Sequence, residues 1–312
     1  MKQNYLPGTL LLTLVLMNYS IQAQEEKSKE GIIRVSIFKK WAEKEVQREE
    51  ARPTEKLTFA CPVLINNQTV KNLNKKTLDF TIQHRFGIIN NRRDLFGLFA
   101  PANIRMGVSY GLTRRLTLGL GVSKFKQIYD ANWKLALLRQ TKESGMPVTV
   151  AYFGSVGRSD LPNSSFYNEN KLYDVVDRFF YFNELMIARK FNEKLSLQLA
   201  AKYAHFNYVT IGMEHDVFAA SFAGRYKFTK QSSVILEFDY PVTKHDVNPQ
   251  EPNLSLGYEI STGGHQFQVF AGTADGILDA QIIGYNRNDF TKRQVLIGFN
   301  ITRLWNLKKL EK

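Results

Sequence analysis

The chain has 312 residues, a formal net charge of +13, 12% aromatic residues with 22 Phe and 14 Tyr, one cysteine and a mean hydropathy of −0.29. No stretch after the N-terminus approaches the roughly 18 apolar residues a spanning helix needs, which excludes a helical membrane protein. A β-barrel stays open, because its strands alternate apolar and polar residues and the average is bland. The basic residues are spread one or two per segment with no compact Lys/Arg block, so nucleic acid is not an expected partner.

Residues 1–23 open with Lys2, run through the short apolar core Thr9–Met17 and end at Ala23. That layout predicts a secretory signal peptide cleaved near Ala23. Residues 24–56 are dense in Glu and Lys and read as a charged periplasmic N-terminal arm, a solvated linker before all else. Residues 57–305 are assigned to an outer-membrane barrel and 306–312 to a short tail. Cys61 adjoins the apolar run Pro62-Val63-Leu64-Ile65. A lone thiol with no clustered His predicts neither a disulfide nor a metal site, and a structural role is expected.

From Thr77 onward the chain breaks into segments of roughly ten residues that alternate with period 2, the length of a tilted strand crossing a bilayer. Leu78, Phe80, Ile82 and Phe86 oppose Asp79, Thr81, Gln83 and Arg85. The clearest segment sets Leu116, Leu118, Leu120 and Val122 against Thr117, Gly119, Gly121 and Ser123. Phe179–Phe191 is less clean, being apolar on both faces near its start. The pattern predicts an all-β, antiparallel up-and-down barrel of about twelve strands. Short connections (Thr113–Arg115, Thr141–Met146, Asn192–Lys194, Thr229–Ser232, Thr262–His265) interleave with long ones (Gly87–Ala102, Arg158–Val176, Phe206–Asp216, Pro241–Pro252, Ala274–Lys292). Short periplasmic turns and long outer loops are the outer-membrane arrangement, and only Lys124–Gln127 breaks the order. The last strand ends in Trp305, similar to the terminal signal read by the barrel-insertion machinery.

The runs Leu64-Ile65-Asn66, Leu78-Asp79-Phe80 and His84-Arg85-Phe86-Gly87 resemble the start of an uncharacterised family of bacterial membrane-bound β-barrel domains. Asp94-Leu95-Phe96-Gly97, Tyr110-Gly111-Leu112-Thr113, Phe153-Gly154-Ser155 and Gly298-Phe299-Asn300-Ile301 are similar to its later segments. The resemblance implies a barrel without an assigned activity.

The alternation points Arg85, Arg105, Lys134, Lys202, Arg225 and Lys227 into the lumen, together with Asp79, Glu237, Asp239 and Glu259. Charges on the lipid face would cost a few kcal/mol at mid-depth, which favours that side. Basic rings favour anions in a pore, whereas mixed signs also suit a plugged, self-paired interior. The histidines are scattered and no Ser-His-Asn setting accompanies them. Glu214-His215-Asp216 and His245-Asp246, in neighbouring outer loops, are the only suggestive sets, and exposed polar loops produce such sets easily. No cofactor, metal or catalytic residue is predicted. The first reading is a passive, porin-like channel with mild anion preference and a small anionic solute. The second is a non-conducting barrel anchoring or binding a partner in an envelope complex, and the third a barrel hydrolase. The lipid bilayer is a partner in all three.

Overall fold

The computed structural model describes residues 54, 58–89, 97–142, 145–166 and 173–307. The expected signal peptide (1–23), the arm 24–56 apart from Thr54, and residues 308–312 lie outside the described residues.

A small hairpin comes first, β1 (Val63–Leu64) with β2 (Asn67–Gln68). The wall strands follow as β3 (Thr77–Ile88), β4 (Asn103–Gly111), β5 (Leu116–Ser123), β6 (Ile128–Leu138), β7 (Thr149–Ser159) and β8 (Phe179–Lys190). The wall continues as β9 (Leu195–Phe206), β10 (Asp216–Lys227), β11 (Ser232–Pro241), β12 (Asn253–Ser261), β13 (His265–Gly272) and β14 (Leu296–Asn306). Each wall strand pairs antiparallel with its chain neighbour, and β14 closes onto β3 with Asn306 opposite Thr77. The result is a closed twelve-stranded antiparallel barrel, which leaves no free strand edge.

Strand alternation decides which side chains meet lipid. Leu120 is 67% and Leu199 64% exposed on the outer surface, while the intervening Thr117, Ser123, Ser196 and Gln198 are buried inside. Outward aromatics gather towards both rims. Tyr226 and Tyr258 lie towards the rim where the chain enters and leaves the wall, and Tyr129, Tyr181, Phe218 and Tyr240 lie towards the other. Aromatic girdles flanking an apolar band are what a membrane barrel requires. The terminal rim carries the connections 112–115, 139–148, 191–194, 228–231 and 262–264. The opposite, loop rim carries 89–102, 160–178, 207–215, 242–252 and 273–295, with 124–127 the short exception there and 139–148 the long one at the terminal rim.

The bore is filled from both ends. Residues 58–76 run inside the wall, so that Phe59, Cys61, Leu64, Ile65, Asn66 and Asn67 are buried. From the loop rim, α1 (Asp279–Tyr285) folds inward onto β8–β11. An internal apolar core results, with Phe59, Leu64, Ile65 and Val70 of the plug packed among Phe153, Phe180, Phe182, Met186 and Ile283. Burying each such side chain stabilises by on the order of 1.5–3 kcal/mol. Inward phenylalanines at 180 and 182 beside outward Phe179 and Tyr181 explain why β8 is apolar on both faces. Small inward residues (Ala151, Ala188, Ala204, Ala219, Ala223) leave the room the plug occupies. At Gly111 a Cβ would lie 2.1 Å from the Asn74 carbonyl oxygen, so only glycine lets the outgoing plug chain press against β4.

Candidate functional site

The plug tip, Leu64-Ile65-Asn66-Asn67, is held by backbone and side-chain hydrogen bonds to the wall. Glu237 on β11 accepts from the Asn66 N–H at 2.9 Å, the Asn67 N–H at 3.1 Å and the Asn253 amide at 2.9 Å, and also from the Asn66 side-chain amide. Arg85, wholly buried, donates to Asn66 Oδ1 at 2.8 and 3.1 Å, to the Ile65 carbonyl at 3.1 Å and to Asn300 Oδ1 at 2.9 Å. Its guanidinium lies 4.5 Å above the Phe270 ring. The Ile65 N–H donates to Gln268 at 3.1 Å. Ile65 has φ of 54°, a left-handed conformation that costs a β-branched residue on the order of 1–3 kcal/mol. It persists because the wall fixes the backbone polar groups on both sides of it.

Lys202 on β9 joins the plug, the wall and the loop helix at one atom. Its Nζ donates to Asn67 Oδ1 at 2.6 Å, Asp239 Oδ1 at 2.9 Å and Asp279 Oδ1 at 2.9 Å, with Glu184 Oε1 at 4.0 Å. All four charged side chains are nearly or fully excluded from solvent. A second group joins Arg225 to Glu259 at 2.7 Å, and Gln268 and Cys61 to the other Glu259 oxygen at 3.1 and 3.2 Å. Burial and the adjacent Glu259 carboxylate push the Cys61 thiol well above its ordinary range, so it is a hydrogen-bonded structural group.

The remaining inward candidates are distributed around this assembly. Lys134 donates to the Pro62 carbonyl at 2.8 Å, Arg105 pairs with Asp130 at 2.6 and 2.9 Å, and Asp79 accepts from Thr81 at 3.2 Å. Lys227 is half-buried at the end of β10 and belongs to none of these groups. Between the plug and the β3–β7 wall remains a cavity of about 60 Å³, lined by Asp79, Gln83, Arg105, Asp130 and Lys134 among others. Sequence reasoning missed Asp130, Glu184 and Asp279 as members, and also the amides of Asn66, Asn67, Asn253, Gln268 and Asn300. The alanines at inward positions were the available signal, because a barrel with small inward side chains needs something else to fill it.

The loops carrying Glu214-His215-Asp216 and His245-Asp246 do adjoin, since Val247 N–H donates to Gly212 O at 2.9 Å. Their histidines serve the fold. His245 is buried, with Nδ1 accepting from the Glu214 N–H at 3.0 Å and Nε2 donating to the Gly284 carbonyl at 2.8 Å. That pattern requires the neutral ring, and burial lowers its pKa. His215 Nδ1 meets the Phe206 carbonyl at 2.6 Å. No group of three metal-ligating side chains occurs among the described residues.

A family model described as a membrane bound beta barrel domain (DUF5777) matches residues 59–305. No curated protein matches the chain. Among solved structures, the NanC porin is 10% identical over 73% of this chain and 98% of its own, with a TM-score of 0.46. The KdgM porin is 9% identical over 73% and 98%, TM-score 0.43. An outer membrane channel from Pseudomonas putida F1 is 12% identical over 75% and 97%, TM-score 0.43. These are likenesses of barrel architecture only.

Proposed function

This chain belongs to the family of membrane bound β-barrel domains, and from that premise we propose that it is an outer-membrane barrel closed from within, serving as a non-conducting anchor. The sorting of short turns to the terminal rim and long connections to the other supports an outer-membrane orientation, with the arm 24–56 on the periplasmic side. The expected signal peptide and the aromatic end of β14, suited to the barrel-insertion machinery, fit the same route.

The observation that carries the reading is the plug tip, whose buried donors and acceptors are matched by Glu237, Arg85 and Lys202. A segment seated by charge-assisted hydrogen bonds and an apolar core is a fixed part of the fold. Inward cations could favour anions in a pore, but here Lys202, Arg225 and Arg105 face Asp239, Glu259 and Asp130. Little uncompensated positive field remains for a mild anion preference. The partner contacts then fall to the long outer loops and the charged arm. The hydrolase reading ranks last, because His215 and His245 are engaged in structural hydrogen bonds.

The test is conductance in planar bilayers. The intact folded protein is expected to give no step-like channel events, and stable ohmic conductance would overturn the anchor reading. A second reading, a conduit that opens when the plug shifts, draws on the cavity beside β3–β7 with its charged lining. Conductance that appears only after a periplasmic partner is added would favour it.

A further inference from the structure

At the loop rim, on the other side of α1 from the plug, lies a second cavity, of about 180 Å³. Aromatic rings make up one part of its wall, with Phe180 and Phe206 5.8 Å apart, Tyr285 edge-on to Phe206 at 5.0 Å and Tyr208 edge-on to Phe166 at 5.7 Å, and the buried Arg178 and Asp177 also line it. A cavity of about 150 Å³ lined by apolar side chains takes up one benzene ring, so this one has room for a single aromatic ring and a small substituent.

Two polar groups in the lining, one buried and one half-buried, have no hydrogen-bond acceptor among the described residues. The Nε2 amide of Gln281 is buried with no hydrogen-bond partner, while its Oε1 is occupied by the N–H groups of Ile277 and Leu278. An unpaired buried donor is costly, and it marks a place where an acceptor belongs. The second is Lys126, in the one short connection of the loop rim. Its backbone is left-handed, with φ of 58°, and its ammonium lies 3.6 Å from the centre of the Tyr285 ring. Among the described residues it has no carboxylate in ion-pair range. The buried cations of the barrel are met by oxygen acceptors, Lys202 and Arg225 by carboxylates and Arg85, Lys134 and Arg178 by carbonyl or amide oxygens.

The geometry points to a binding site for a small aromatic carboxylate. The ring lies against Phe206 and Tyr208, and the carboxylate accepts from Lys126 Nζ and Gln281 Nε2. Aromatic pairs and a charge-assisted hydrogen bond act together in such a site. The assignment is independent of whether the barrel conducts, since the plug lies beyond α1.

Calorimetric titration of the full chain in lipid nanodiscs tests it, with benzoate as the probe and benzyl alcohol and acetate as controls. Benzoate is expected to bind saturably at one site, with benzyl alcohol and acetate each at least roughly tenfold weaker, as loss of a charged hydrogen bond or of the ring contacts implies. Lys126→Met and Gln281→Leu should each weaken benzoate by about tenfold and benzyl alcohol, which offers only a neutral acceptor, by less. No benzoate binding to the unaltered protein overturns the assignment, as does equal affinity for benzoate and benzyl alcohol. Unchanged benzoate affinity in both variants, each checked for heat-modifiable gel migration, does so too.

Discussion

Glu237 and Asn66 meet in the middle of the bore, the carboxylate of a wall strand taking both the backbone N–H and the side-chain amide of the plug's turn. These residues are 171 positions apart in the chain, so the contact exists only once the barrel has closed. Glu237→Ala leaves the Asn66 and Asn67 N–H groups and the Asn253 amide facing a void. The expected loss is about 3–5 kcal/mol, as for removal of one partner from a buried charged network. Guanidinium unfolding in micelles should show it, and Glu237→Gln, which keeps an acceptor, should lose less.

Lys202→Met removes the single cation that holds Asp239, Asp279 and Asn67 together. Uncompensated buried carboxylates should cost about 3–5 kcal/mol. The local consequence distinguishes this site from Glu237. Once α1 loses its Asp279 anchor, hydrogen exchange should quicken across 279–285 more than in β9 itself. Equal protection of α1 in both proteins would show that Lys202 does not hold the helix.

Most of the wall was legible in the sequence. Leu116, Leu118, Leu120 and Val122 alternate with small polar residues because one face meets lipid and the other does not, and that is a local property. The plug was not legible, since Leu64-Ile65-Asn66-Asn67 is too short to carry a period and all its partners are remote. The same holds for α1, whose seven residues lie in what reads as a long loop. Inward charges such as Arg85 and Glu237 could be assigned to a face by parity, but parity cannot say that they bind the protein's own N-terminal segment. The doubly apolar start of β8 was the visible irregularity, and it marks where the internal core sits.

Cys61 offers a chemical readout of plug seating. The thiol is 1% exposed, hydrogen-bonded to Val63 O at 2.9 Å and raised in pKa by burial and Glu259. Maleimide labelling of the native protein near pH 8 should therefore be negligible over hours, because the thiolate is both scarce and inaccessible. Glu237→Ala should speed it markedly. Rapid labelling of the unaltered protein would mean that the plug leaves the bore readily.

The benzoate site carries a pH dependence with a definite sign. Burial, and then the nearby Arg287 charge, lower the Lys126 pKa from 10.5 to about 8. The other groups around it are Arg178, Asp177 and the Tyr285 phenol, which burial pushes up to about 12. The ammonium is thus present below about pH 8 and lost above it, while benzoate stays anionic. Affinity should fall as pH rises from about 7 to about 9, with a midpoint above 8 because bound anion favours the charged amine. In Lys126→Met the titration should be flat across that window.

The plug's place in the bore is open to direct measurement through Asn67 and Ser221, whose side chains meet at 2.8 Å between the hairpin tip and β10. In a Cys61→Ser background, Asn67→Cys with Ser221→Cys places one thiol on the plug and one on the facing wall strand, close enough for a short bifunctional thiol reagent to bridge. Treating the membrane-embedded protein with that reagent should give near-complete cross-linking, seen as a faster-migrating unfolded band. Two free thiols that label fully in the folded barrel, with no cross-link formed, would contradict a barrel closed by its own N-terminal segment.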